Sequence, residues 1–170
     1  MDLKQHIRNV PDFPKAGILF YDITTLLRDP VGFRTTIERL ALPFQEKGID
    51  AVVGIESRGF ILGGAVAQVL GAGFVPVRKP GKLPAKAIKE TYNLEYGQDA
   101  LEIHEDAIEK GQRILIVDDV LATGGTAAAT AQLVRKLGAD LQGLAFLIEL
   151  SFLDGKSRLT GEQVYSVLQY

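Results

Sequence analysis

The chain has 170 residues, 46% of them hydrophobic, enough for one domain with a sizeable core, and its lack of cysteine excludes disulfides and thiolate catalysis. Its two histidines, His6 and His104, are too few for a multi-histidine metal site, and a formal net charge of −2 argues against a nucleic-acid partner. No apolar run approaches membrane-spanning length, and Met1 to His6 lacks the apolar core of a signal peptide, so a cytoplasmic protein with no membrane partner is expected.

Residues 2–8 suit a short helix, after which Pro11, Phe13 and Pro14 force an extended or turning path. The apolar segment Ala16 to Thr24 reads as a hairpin or edge strand packed on the core. Asp29-Pro30 is a helix start, an N-cap followed by proline at the first helical position. Phe33, Ile37, Leu40, Ala41 and Phe44 then recur at helical spacing, and Gly48 ends the run. Pro43 removes a backbone donor inside that pattern, so a kink or an early end is expected there.

Ala51 to Ile55 reads as a buried parallel strand, followed by Glu56-Ser57-Arg58-Gly59 and a helical run from Phe60 to Leu70. Polar residues at the carboxyl end of a strand stand where open α/β sheets bind ligands. Arg58 can form paired hydrogen bonds to phosphate oxygens and neutralise leaving-group charge. The plainer reading is a capping turn with an exposed arginine. Phe74 to Val77 is the next expected strand, and the prolines and glycine of Arg78 to Pro84 preclude regular structure after it. Arg78, Lys79, Lys82, Lys86 and Lys89 crowd into twelve residues with no acid among them. Such a run is either a solvated loop or a mobile lid that carries cations onto a phosphorylated substrate.

Thr91 to Tyr96 and Ala100 to His104 alternate apolar and polar residues around Gly97-Gln98-Asp99, the pattern of a two-stranded antiparallel ribbon. Taken alone, Glu95 is an exposed hairpin glutamate, and both histidines read as surface.

Ile114 to Val117 is a short apolar strand ending in Asp118 and Asp119, followed by the loop Val120 to Thr126 and the helix formers Ala127 to Leu137. Gly124 and Gly125 let a ligand approach the main chain, and the free N–H groups of the helix start favour a phosphate. The hydroxyls of Thr123 and Thr126 can donate to its oxygens. The two carboxylates would repel that phosphate, but they accept hydrogen bonds from a ribose diol, so the whole stretch suits a ribose 5-phosphate. Gly138 caps the helix, Leu144 to Leu150 is a further core strand, Ser151 to Thr160 is turn-rich, and Val164 to Leu168 suits a final edge strand. There is no internal repeat, linker or low-complexity segment.

Val117 to Thr126, with its strand context, paired acids and Thr-Gly-Gly-Thr loop, resembles the phosphoribosyl-diphosphate motif of the type I phosphoribosyltransferases. No lysine follows the glycines as a Walker A loop requires, and no G-x-G-x-x-G occurs. Phe13-Pro14, Gly17, Phe20, Asp22, Ile23 and Thr24 resemble the N-terminal signature of the adenine-specific branch of that family. The resemblance covers essentially the whole chain, in order. It implies an α/β fold, a mainly parallel twisted sheet flanked by helices, as a single domain over residues 1–170. A hood formed by residues 1–28 and a flexible lid and β-ribbon over 79–104 complete that fold.

The implied reaction joins adenine to 5-phosphoribosyl 1-diphosphate, giving AMP and diphosphate. Residue by residue, the resemblance assigns Ala122, Thr123, Gly124, Gly125 and Thr126 to the ribose 5-phosphate, with Asp118 and Asp119 on the ribose. Glu56, Ser57, Arg58, Gly59, Lys79 and Lys82 go to the diphosphate. The backbones of Leu19 and Tyr21 would read the adenine edge while Phe20 stacks on the ring; many relatives carry a basic residue where Tyr21 stands. Glu95 would assist protonation at the purine. Mg²⁺ would travel on the substrate with no direct protein ligand, Asp119 reaching it through water, and a homodimer is implied. Two other readings stay open: a phosphoribosyltransferase for another purine base, and a non-catalytic regulator that binds phosphoribosyl diphosphate. The regulator would be expected to carry a DNA-binding region.

Overall fold

The computed structural model describes residues 1–94 and 96–170. A single 3-10 turn, Leu3–His6, leads into a hairpin in which β1 (Arg8–Pro11) pairs antiparallel with β2 (Leu19–Asp22). The hairpin expectation for the Ala16 to Thr24 segment therefore holds. A helical turn not legible in the sequence, α1 (Thr24–Leu27), follows. Asp29 caps α2 (Pro30–Ala41) by accepting from Val31 N at 3.2 Å. The helix stops two residues before Pro43 and passes into a 3-10 turn, Leu42–Phe44, which is the early end expected of a missing backbone donor.

The body is one parallel sheet. Strand β3 (Ala51–Ile55) leads through α3 (Arg58–Leu70) to β4 (Gly73–Val77). An antiparallel ribbon, β5 (Ala87–Asn93) and β6 (Gln98–His104), is inserted before β7 (Arg113–Leu121). Then come α4 (Gly125–Lys136), β8 (Asp140–Glu149) and β9 (Val164–Gln169). The five parallel strands lie in the order β4-β3-β7-β8-β9, with β9 on the expected edge.

Side chains alternate across the sheet, so each strand feeds two cores. On one face Val52, Leu115, Val117, Ala145 and Leu147 meet α2, α3 and the N-terminal segment through Leu40, Leu62, Leu26 and Leu3. On the other, Val53, Ile114, Ile116, Leu144 and Phe146 meet α4 through Leu133 and Val134. The ribbon belongs to this second core: Leu101 and Ile103 are fully buried in it. Burial of each stabilises the ribbon's root by about 1.5–3 kcal/mol.

Of the boundaries that differ from the sequence pattern, two bear on the site. Strand β5 ends at Asn93 and β6 begins at Gln98, and Leu94 N donates to Gly97 O at 2.9 Å, so Gln98 and Asp99 are strand residues rather than turn residues. And β7 runs on past Val117 to Leu121, because β8 continues to pair with it there.

Candidate active site

The carboxyl ends of β3 and β7 build the floor of the site. Pairing between them stops at Gly54 and Val117, whereas β8 accompanies β7 as far as Leu121. Asp118 and Asp119 thus stand just beyond the end of β3, facing the start of α3. After Leu121 the chain turns through Ala122, Thr123 and Gly124 into α4. Gly124 has φ +88°, and a Cβ there would run into the carbonyl oxygen of Gly155, so only glycine closes this turn. The first helical hydrogen bond runs from Ala128 N to Gly124 O (2.9 Å), which leaves the amides ahead of it without an intrahelical acceptor. A cavity of about 80 Å³ lies here, lined by Asp118, by Val120 to Ala127 and by Phe146. Open amides, threonine hydroxyls and a helix start are donors of the kind that can hold an anion.

The acid pair is buried and internally bonded. Asp118 Oδ1 accepts from Asp119 N (2.8 Å), Asp119 Oδ1 accepts from Val120 N (2.9 Å), and Asp119 Oδ2 accepts from Arg58 Nε. Burial, and then the adjacent Asp119 charge, push the Asp118 carboxyl well above the ordinary carboxylate range. Burial works against the charge on Arg58, but Asp119, Asp118 and Asp22 outweigh it and raise its pKa. A Cβ at Gly59 would sit 2.8 Å from Asp118 Oδ1, so this glycine lets the start of α3 close on the acids. The Arg58 guanidinium also lies 5.7 Å from the centre of the Phe20 ring.

Glu56 and Ser57, joined by a cis peptide, lead into α3. Glu56 gathers the basic loop after β4: Oε2 accepts from Lys82 Nζ at 2.5 Å, and Oε1 accepts from Arg78 Nε and Lys79 N, each at 3.2 Å. The bond from Lys82 does most to lower its carboxyl from 4.5 to about 2, with the Lys79 amide and Arg78 adding to it against a cost of burial. As an acceptor-only group it is suited to hold the cations that face a diphosphate, not to touch the diphosphate itself. Lys79 Nζ bonds Asp99 on the ribbon.

On β2, neighbouring side chains point to opposite faces. Phe20 packs edge-on against Phe13, ring centres 5.1 Å apart, and lies beside Arg58. Tyr21 points the other way and stacks on Tyr170 at 4.0 Å. Leu19 is exposed beside them. Asp22 accepts from Thr24 Oγ1 (2.6 Å), Thr24 N (2.9 Å) and Arg8 Nε (2.9 Å), and those bonds, the Thr24 hydroxyl foremost, lower it to about 2. Glu95 lies outside the described residues. His104 Nε2 accepts from Ala85 N at 3.3 Å, a local tie within the ribbon region.

The structure thus brings together Phe20, Arg58, Asp118, Asp119 and the Ala122 to Thr126 loop, with Lys79 and Lys82 held at the rim. It adds three residues that the sequence pattern passed over. Tyr92 and Asp99 are cross-strand partners on the ribbon, and Tyr92 OH lies 3.3 Å from Thr126 Oγ1. Arg158, on the 3-10 stretch Gly155–Leu159, brings Nη1 to 3.3 Å from the place of a Cβ on Gly125. Placing the ribbon turn at 97–99 hid the first two, and nothing in the pattern linked Arg158 to the loop. Among the described residues, no group of three or more His, Cys, Asp or Glu side chains could hold a metal ion, and no helix is long and apolar enough to cross a membrane.

Comparison with known proteins gives the same picture throughout. The Phosphoribosyl transferase domain family matches residues 34–163. An adenine phosphoribosyltransferase of Koribacter versatilis is 59% identical over 99% of this chain and 92% of its own length. One from a Synechococcus strain is 64% identical over 95% of this chain and 93% of its own. The crystal structure of adenine phosphoribosyltransferase from Rhodothermus marinus superposes with a TM-score of 0.95 at 59% identity, covering 99% of this chain and 96% of that one. The Saccharomyces cerevisiae enzyme, complexed with an imino-altritol bisphosphate and adenine, superposes with a TM-score of 0.93 at 46% identity over 98% of this chain and 97% of its own.

Proposed function

The chain belongs to the adenine phosphoribosyltransferase family, enzymes that make AMP and diphosphate from adenine and 5-phosphoribosyl 1-diphosphate, and we propose that it does so through the cleft between β2, β3 and β7. The observation that carries this assignment of the site is the position of Arg58. Its side chain bonds Asp119 and at the same time lies beside the Phe20 ring, so one residue adjoins the ribose end and the base end of the cleft.

In this reading the loop Ala122 to Thr126 binds the 5-phosphate with open amides and the Thr123 hydroxyl. That remote binding energy aligns C1 of the ribose with the base. Asp118 and Asp119 hold the ribose hydroxyls beneath the ring. When the C1–O bond breaks, the electron pair leaves with diphosphate and positive charge develops on the ribose beside these carboxylates. Arg58, Lys79 and Lys82 receive the negative charge on the leaving group, an electrostatic role worth roughly 3 kcal/mol per well-placed donor. Adenine N9 then attacks C1, held against Phe20 and read by the backbones of Leu19 and Tyr21. Glu95 handles the purine proton. The lid over 79–104 and the hood over 1–28 exclude the water that would otherwise intercept the cation.

Mg²⁺ suits this donor set as a companion of the substrate. Asp119 would hold the cation through water, and substrate phosphates would supply the hard ligands that Mg²⁺ prefers. When bound, it would neutralise diphosphate charge. The reading extends to a cytoplasmic homodimer. An apolar groove of about 440 Å³ between α2 and α3, lined by Phe33, Ile37, Ala65 and Val69 among others, is the surface that suits a second copy.

The test is diphosphate release from phosphoribosyl diphosphate and Mg²⁺ with each purine in turn. Release with adenine alone supports the reading. Release only with hypoxanthine or guanine overturns the base assignment, and binding of phosphoribosyl diphosphate with no turnover on any base overturns the reaction.

A further inference from the structure

We propose that Asp99 and Tyr92 are positioning residues that join the lid to the phosphate loop, holding Lys79 in line with Thr126 across the cleft. Four side chains from four parts of the fold form one hydrogen-bonded chain. Lys79 Nζ donates to Asp99 Oδ2; Tyr92 OH lies 3.3 Å from the same carboxylate oxygen and 3.3 Å from Thr126 Oγ1. Tyr92 and Asp99 face each other directly across the ribbon.

The two central residues rest on fixed supports. Asp99 Oδ1 accepts from Ala100 N at 2.8 Å, which sets the carboxylate plane. Below it, Leu101 and Ile103 are fully buried, and Lys136 Nζ bonds Glu90 Oε2 at 2.5 Å, tying β5 to α4. The Tyr92 ring packs on the phosphate loop as well: its Cδ2 is 3.2 Å from where a Gly125 Cβ would be.

The ammonium groups of the two lid lysines therefore have separate anchors, although Glu56 also accepts from the Lys79 backbone. Lys82 is held by Glu56, on the loop before α3, and Lys79 by the ribbon. Only the second anchor reaches the phosphate loop. An ammonium has three donors, so Lys79 can keep one N–H on Asp99 and offer the others to diphosphate oxygens. Tyr92 donates to Asp99 and so accepts from the Thr126 hydroxyl. The pair would then set the distance between the cation that meets one end of the substrate and the loop amides that meet the other. Preorganisation of this kind acts on binding of phosphoribosyl diphosphate and not on adenine.

The inference rests on the adenine phosphoribosyltransferase reading, so diphosphate release by the wild-type chain is measured first. Silence there removes that reading without reference to Asp99. In the active enzyme, Asp99→Asn is expected to raise KM for phosphoribosyl diphosphate about tenfold and Tyr92→Phe about threefold, with the KM for adenine within about twofold of wild type. In a Lys79→Ala background, adding Asp99→Asn should change that KM by less than about twofold, because nothing is left to position. An unchanged or lowered KM in Asp99→Asn, or independent effects of Asp99→Asn and Lys79→Ala, would overturn the proposal. Thermal melting accompanies each variant. Should Asp99→Asn fail to fold, Tyr92→Phe keeps the ring packing and decides alone, an unchanged KM counting against the proposal.

Discussion

Arg58 and Asp119 stand 61 positions apart in the chain and meet at the carboxyl ends of two adjacent parallel strands, Nε of the arginine donating to Oδ2 of the aspartate. The pair ties the start of α3 to the acid pair of β7. Arg58→Ala is expected to lower kcat/KM by about 100-fold, the loss of one well-placed donor of roughly 3 kcal/mol. Arg58→Lys should not restore it, because a compact ammonium cannot bond Asp119 while presenting a planar face to Phe20 and donors to a diphosphate. Steady-state kinetics with both substrates varied checks this. A lysine variant within about threefold of wild type would show that only the charge matters.

Phe20 and Tyr21 are neighbours with opposite orientations, which separates their expected effects. Phe20→Ala should raise KM for adenine about tenfold, since stacking of a base on an aromatic ring contributes about 1–3 kcal/mol. KM for phosphoribosyl diphosphate should hardly move. Tyr21→Leu should leave KM for adenine unchanged and lower the melting temperature, because its ring stacks on Tyr170 and joins the core. A rise in adenine KM in Tyr21→Leu would mean that its side chain reads the base.

Gly124→Ala combines two penalties, a side chain at φ +88° and a collision with the Gly155 carbonyl. The left-handed conformation alone costs about 1–2 kcal/mol. At about 2–4 °C per kcal/mol for a chain of this size, the melting temperature should fall by several degrees, and calorimetric titration should show phosphoribosyl diphosphate binding lost. Gly161→Ala is the control, with φ +83° and nothing within 4 Å of the added Cβ. It should lose stability through backbone strain alone and keep full binding.

Glu56 carries a pH dependence with a defined sign. Its carboxyl titrates near 2 in the folded chain against 4.5 ordinarily, Lys82 being the largest cause. A depressed carboxylate contributes stability that is fully present above 4.5 and is lost as pH falls through about 2. The melting temperature of wild type should therefore exceed that of Glu56→Gln by a constant margin at neutral pH. That margin should narrow below pH 4.5 and vanish toward pH 2. A margin independent of pH would assign the Glu56 effect to packing.

Val69 lines the apolar groove between α2 and α3 and is half exposed. Val69→Asp should convert a dimer into monomers in sedimentation velocity at micromolar concentration, because the interface would have to desolvate two new carboxylates, one from each copy. A wild-type chain that sediments as a monomer would remove the dimer from the proposal.

What the sequence determined by itself was most of the local elements, among them the strand, glycine turn and helix around Asp118 and Asp119. Asp29-Pro30 starts a helix and Pro43 ends it early through bonds and steric limits within a few residues. The apolar run before Asp118, the two glycines and the helix formers after them specify strand, turn and helix with no information from elsewhere in the chain. The parallel sheet follows from the alternation of such units. Tertiary structure alone decided which charges meet. Arg58 finds Asp119, Lys82 finds Glu56 and Lys79 finds Asp99 over separations of 61, 26 and 20 residues. Those partners depend on strand order and on the ribbon turning between Asn93 and Gln98, where a shift of the turn would exchange every cross-strand pair. Periodicity encodes which face a residue takes on its own element, and the neighbour on that face belongs to another part of the chain.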